Sequence, residues 1–264
     1  MPFHESEAIR YFAFDSFADA GVIHGVITRR GGKSPQPWAS LNVGGTVGDD
    51  AERVRQNRGL SFRALGRPFE SLYDVWQVHG TDVICTTSPR RVDQPHLKAD
   101  AILTDQPGVT LFMRFADCVP IFLYDPRRRV AGLVHAGWKG TVDGILRFTL
   151  EAMQGTYHSQ ISDILAGIGP SIGAHHYQVG MEVVEQVNTA FGSDAKTLLE
   201  SPNGSSSASG VKFDLWGANR LILENAGVRK IEMSDICTAC HLEDWYSHRG
   251  EHGRTGRFGA LIGV

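Results

Sequence analysis

The chain has 264 residues, 42% of them hydrophobic and 21% charged, with a formal net charge of -3 at pH 7. That balance describes a soluble globular protein, long enough to bury a substantial core as one large domain or two small ones. It carries no basic footprint for nucleic acid and no apolar run of membrane-spanning length. The opening Met1-Pro2-Phe3-His4-Glu5 also lacks the pattern of a signal peptide, so a cytoplasmic protein is expected.

In chain order, residues 22–28 alternate like a strand and lead into Arg29-Arg30-Gly31-Gly32, whose glycines suit a tight turn. Ser40-Leu41-Asn42-Val43-Gly44 follows as a loop. Residues 49–65 read as a helix with Asp49 or Asp50 near its cap, and 73–78 as the strand that delivers His79. A Gly-bounded strand over 109–115 leads to Cys118. The apolar runs 121–124 and 130–134 flank Asp125-Pro126-Arg127-Arg128, which predicts a hairpin. With Pro126 and Arg127 at its corner, Cys118 faces His135 directly, and a longer bulged loop would slip that register. Thr141 is expected to cap a helix reaching Met153.

The second half reads as a strand over 164–168, the turn Gly169-Pro170-Ser171-Ile172-Gly173, a helix over 180–191, a flexible surface loop over 202–210 and a helix over 214–226. A polar loop rich in anion-binding groups spans 245–258. No internal repeat is evident.

Three segments hold the chemistry: Trp76-Gln77-Val78-His79-Gly80, Ala116-Asp117-Cys118-Val119-Pro120 and His135-Ala136-Gly137-Trp138-Lys139-Gly140-Thr141. Two imidazoles and one thiol are suitable donors for a three-ligand zinc with an open position, the arrangement of a catalytic rather than a structural site. Taken singly, Cys118 also fits a packed core thiol and each histidine a hydrogen-bonded structural residue. Lys139, Gly140 and Thr141 at a helix start suit an anion, or form an ordinary capped helix; no full P-loop is present. The four cysteines of a cytoplasmic chain point to metal, catalysis or burial rather than to disulfides. Cys237-Thr238-Ala239-Cys240-His241 matches a short haem-attachment pattern and half of a zinc site. Haem attachment requires export and no second CxxC completes four ligands, so this pattern is read as coincidental.

Together with Thr28-Arg29-Arg30-Gly31-Gly32, Ser40-Leu41-Asn42, Gly169-Pro170-Ser171-Ile172, Tyr246-Ser247-His248-Arg249 and Gly256-Arg257, these segments resemble the laccase-domain family over nearly the whole chain. That family, first labelled polyphenol oxidase, is read as zinc-dependent purine nucleoside phosphorylase and adenosine deaminase, and bacterial members are also described as peptidoglycan editing factor. The resemblance implies a single domain over 1–264, an α/β sandwich with mixed sheets similar to a bacterial toxin catalytic domain. It implies zinc, with copper as the alternative, on His79, Cys118 and His135, which are also the catalytic candidates. Arg29, Asn42, Gln77, Lys139, Tyr246 and Arg257 are the candidate contacts for nucleoside and phosphate. The chain departs from the family at Lys139, where arginine is common, at His175-His176, which replace a Pro-Cys-like pair, and at Phe115, where threonine is common.

The expected chemistry is phosphorolysis of adenosine, inosine, guanosine or methylthioadenosine, with phosphate attacking ribose C1′, and deamination of adenosine at C6. No side chain is singled out as the proton donor; Asp117 reads as a catalytic or a supporting carboxylate. Small-molecule substrates and a monomer are expected, with no nucleic acid or membrane partner. A copper-dependent phenol oxidase and a cysteine hydrolase acting on peptidoglycan precursors through Cys118 and His135 are the alternatives. A non-catalytic cell-wall quality-control partner is the remaining one.

Overall fold

A computed structural model describes residues 3–91, 93–200 and 210–264. The first half forms β1 (Phe3–Ser6), β2 (Ile9–Phe12), α1 (Asp15–Asp19), β3 (Ile23–Ile27), α2 (Ala51–Ala64), β4 (Leu72–Asp74), β5 (Val83–Cys85), β6 (Ala101–Thr104) and β7 (Thr110–Phe115). The hairpin β8 (Val119–Asp125) and β9 (Val130–Ala136) then leads to α3 (Trp138–Asp143), α4 (Ile145–Tyr157) and β10 (Leu165–Ile168). The remainder comprises α5 (Met181–Phe191), α6 (Ala195–Leu198), β11 (Leu199–Glu200), β12 (Lys212–Phe213), α7 (Leu215–Ala226), β13 (Lys230–Met233) and β14 (Phe258–Gly263).

Two mixed six-stranded sheets form the centre, in the orders β1-β2-β3-β14-β7-β4 and β13-β10-β8-β9-β6-β5. Every residue of β8 and β9 is buried, which is why both read as continuous apolar runs rather than as alternating ones. Their two faces serve different cores. Phe122, Tyr124, Ala131 and Leu133 pack toward the first sheet, whereas Ile121, Leu123, Val130 and Val134 pack with Ile145, Leu146 and Leu150 of α4. On the outer face of the first sheet, Phe62 of α2 packs with Phe112 and Leu261. Asp50 caps α2 by accepting from Arg53 N–H at 3.0 Å. The expected α/β sandwich with mixed sheets is the observed architecture. Among the described residues, no helix is long and apolar enough to cross a membrane.

Three local expectations are corrected. The β8–β9 hairpin turns through four residues, since Asp125 pairs with Val130 and His135 with Pro120. The Asp125 carboxylate accepts from Arg127 N–H and Arg128 N–H, a side-chain turn that lengthens the loop. Cys118 is therefore diagonal to His135 rather than opposite it, but a slip of this parity leaves both side chains on one face. The strand before His79 ends at Asp74, because Trp76 pairs with Lys98 instead. The helix expected from Thr141 begins at Trp138 and breaks at Gly144, which takes φ +93° between α3 and α4. Thr141 is buried inside α3 against Asn219. The loop expected over 202–210 lies, but for Gly210, outside the described residues.

Candidate metal centre and its cavity

The ends of three segments meet at one edge of the sheet pair. His79 lies beyond β4, Cys118 immediately before β8 and His135 near the end of β9. Their donor atoms all lie within 4.8 Å of one another, with Cys118 Sγ 3.8 Å from His79 Nε2. Gly137 lets the segments close: a Cβ there would stand 2.9 Å from His79 Cδ2 and 3.1 Å from Cys118 Sγ.

One carboxylate organises both histidines. Asp100, fully buried just before β6, stands beside His135 because Ala101 pairs with Val134. Its Oδ1 is 2.8 Å from His135 Nδ1 and accepts from His79 N–H at 3.0 Å. Its Oδ2 accepts from Val78 N–H and Gly80 N–H. Engaging Nδ1 leaves His135 Nε2 for the centre, the usual carboxylate support of a metal-bound imidazole. Three amide bonds fix the loop that carries His79, whose φ of +59° is left-handed. Burial raises the Asp100 pKa, but His135 and these amides outweigh it and hold the carboxyl below its ordinary value.

Burial likewise raises the Cys118 thiol, yet the neighbouring imidazoles of His135 and His79 bring it down to about 6. Burial lowers His135, and Cys118 and Asp100 more than reverse this, raising it to about 9. Both shifts run toward a thiolate beside an imidazolium. A thiol shifted toward ionisation by its neighbours and two imidazoles fit a borderline-soft ion with one position left open.

The trio opens into a cavity of about 680 Å³, within the range of small-molecule sites, about 300–1000 Å³. Arg58, Arg114, Arg249 and Arg257 line it with His96 and His248, while Asp117 is the acidic residue among them. Arg58 and Arg114 are held from behind by buried Asp74, each with a nitrogen 3.7 Å from Oδ2. Burial lowers Arg114 only to about 10, with Asp74 opposing the shift, so it remains cationic. Trp76, 47% exposed, supplies an aromatic face at the wall. An anion and a flat aromatic group could be bound together there.

The expected substrate contacts divide. Gln77 and Arg257 line the cavity, and Gln77 also zips its loop to β7 by bonding both backbone groups of Arg114. Asn42 stands behind the wall: its Oδ1 accepts from Gly44 N–H and Arg257 N–H. Arg29 is buried away from the cavity, donating to the carbonyls of Ala39 and Leu242, paired with Glu251 at 3.0 Å and stacked over Tyr246. Tyr246 is itself fully buried and donates to the Trp38 carbonyl. Lys139 points to solvent and pairs with Asp143 at 2.6 Å. Asp117 lines the cavity and accepts from Thr238 Oγ1 at 2.7 Å and from Arg249 N–H at 2.6 Å. Sequence reading missed Asp100, Asp74, Arg58, Arg114, Arg249 and Trp76 as site residues. The signal for Arg249 and Trp76 was available, since both lie within motifs already singled out.

The family described as multi-copper polyphenol oxidoreductase laccase matches residues 23–264. The chain belongs to this laccase-like family. It is 38% identical over 252 residues to a Geobacillus stearothermophilus protein named purine nucleoside phosphorylase YlmD, covering 92% of this chain and 90% of the relative. A Deinococcus radiodurans purine nucleoside phosphorylase is 37% identical over 243 residues, covering 92% and 89%. Among solved structures of this laccase-like fold, Bacillus licheniformis YfiH superposes with a TM-score of 0.90 at 32% identity, covering 100% of this chain and 99% of that one. Geobacillus stearothermophilus YlmD gives 0.88 at 37% identity, covering 99% and 98%.

Proposed function

We propose that the chain is a purine nucleoside enzyme, which phosphorolyses adenosine, inosine, guanosine and methylthioadenosine and deaminates adenosine, with zinc on His79, Cys118 and His135. The observation that carries this reading is the opening of that trio into a cavity holding four arginines and an exposed tryptophan face. The relatives named purine nucleoside phosphorylase support it. Zinc is favoured over a blue-copper centre because, among the described residues, no methionine lines the cavity, and Gln77, the lining side chain that could replace one as an axial ligand, has its amide engaged by the Arg114 backbone.

A zinc ion on these donors supplies Lewis acidity at an open position. The lining arginines orient phosphate for attack at ribose C1′ as the C1′–N9 bond breaks and its electron pair leaves with the purine. Trp76 offers its ring to the purine. His96 is engaged with Asp74 at 3.0 Å, so His248 is the lining imidazole assigned to protonate the departing base. In deamination, water adds at C6 and ammonia leaves.

A thiol hydrolase is the second reading, favoured by the lowered pKa of Cys118 beside an imidazole held by Asp100. Chelation separates the two. Metal-stripped protein given inosine and phosphate should yield no ribose 1-phosphate until zinc is restored. Full phosphorolysis after stripping would overturn the zinc assignment, and a chelator-resistant amidase activity lost in Cys118→Ala would favour the hydrolase.

A further inference from the structure

A second group of soft donors assembles outside the trio. Beyond β10 the chain forms a short turn, Ala174–His176, and beyond β13 it reaches the turn at Cys237-Thr238-Ala239-Cys240. These strands pair in parallel, and the pairing continues past their ends: Ser171 bridges Cys237, and Thr238 N–H donates to the Ser171 carbonyl at 3.0 Å. The two turns are thereby pressed together.

His175 Nε2 comes 3.1 Å from Cys240 Sγ. His176 Nδ1 lies 3.5 Å from Cys240 Sγ and 3.6 Å from Cys237 Sγ. All four donor atoms fall within 4.8 Å of one another. Zinc bonds of about 2.3 Å to sulfur and about 2.1 Å to nitrogen, at the tetrahedral angle, separate the two donors by about 3.6 Å. Two of the three separations already match, and the third, at 3.1 Å, is short by about half an ångström.

The surroundings suit thiolates. Gly173 N–H donates to Cys237 Sγ at 3.3 Å, the kind of backbone bond that stabilises a metal-bound sulfur. A Cβ on Gly173 would stand 2.6 Å from His175 Cε1, so its bare backbone is what admits the histidine. The half-site at Cys237 and Cys240, set aside in the sequence for want of a second CxxC, finds its complement in an adjacent histidine pair 61 residues before Cys237.

We propose that His175, His176, Cys237 and Cys240 bind a second zinc ion, in a closed four-ligand structural site separate from the His79, Cys118 and His135 centre. Two thiolates and two imidazoles in a tetrahedron select zinc. The ion would staple the turns that frame the cavity. Thr238 Oγ1 and Ile172 N–H both donate to Asp117, the residue before Cys118. Arg249 reaches the carbonyls of His176 and Gln178. The proposal stands on these four donors and does not depend on which reaction the cavity performs.

Cobalt(II) is the spectroscopic probe. Full-length protein carrying His79→Ala and Cys118→Ser, stripped of metal and kept reduced, should bind one equivalent of cobalt with tetrahedral d–d bands and thiolate charge transfer. Zinc should displace it and raise the melting temperature. Adding His175→Ala, an exposed position with little folding risk, or Cys240→Ser should abolish the bands and weaken binding at least tenfold. In otherwise unaltered protein, Cys240→Ser should lower total zinc from two equivalents to one. The proposal is overturned if the doubly substituted protein binds no cobalt, or if its bands survive both His175→Ala and Cys240→Ser. A Cys237–Cys240 disulfide persisting under reductant, seen as a loss of two hydrogen masses, would overturn it equally.

Discussion

Asp100 ties the two histidines of the trio together, one through its ring and the other through its backbone. Replacing it with asparagine keeps the volume but puts an amide where four donors converge. Asp100→Asn is expected to weaken zinc binding about 10- to 100-fold in a chelator competition; unchanged affinity would show that the trio needs no such support. Cys118 makes a second residue-scale prediction. In metal-free protein its pKa of about 6 means the thiolate fraction falls only as pH drops through 6. Iodoacetamide alkylation of Cys118 should therefore be half-maximal near pH 6 and level off from about pH 7, where an ordinary thiol would keep accelerating toward about 9, and zinc should suppress it. Alkylation that climbs to pH 9 would contradict the imidazole pairing.

At the scale of elements, the end of β4 gathers the cationic wall. Asp74 receives Arg90 at 2.7 Å and His96 at 3.0 Å besides the two cavity arginines. Burial raises its pKa, but these partners overcome that and hold it at about 2. Because the folded pKa is depressed, the stability is present above the unfolded value near 4 and is lost as pH falls through about 2. A shift of this size corresponds to about 2 kcal/mol. Asp74→Asn should cost about 3–5 kcal/mol near neutral pH, since it leaves buried guanidinium groups unpaired. In urea unfolding, the gap to the parent should narrow as pH drops from 4 toward 2; a gap that stays constant would refute the ion-pair account. The sequence showed the trio because thiol and imidazole in Gly- and Pro-marked turns are chemically distinctive. It hid Asp100, whose role exists only through the pairing of β6 with β9, and it hid the Asp74 cluster, whose arginines are scattered at 58, 90 and 114. Arg29 and Tyr246 read as ligand contacts for the opposite reason: polar residues in a motif look alike until burial shows that they brace the loops.

For the whole molecule, the paired sheets put the trio at a rim where three chain segments end, and the surrounding loops supply the arginines. This placement follows from periodicity and parity: the corrected hairpin register moved Cys118 along the strand without moving it to the other face. The central claim is that this rim works on purine nucleosides through a metal held by His79, Cys118 and His135. Its most direct test is chromatography of the products formed from adenosine and phosphate by zinc-loaded protein, beside His79→Ala loaded in the same way. The account predicts adenine with ribose 1-phosphate, together with inosine, from the parent and none of them from the variant. No turnover by the parent, or equal turnover by the variant, would contradict it.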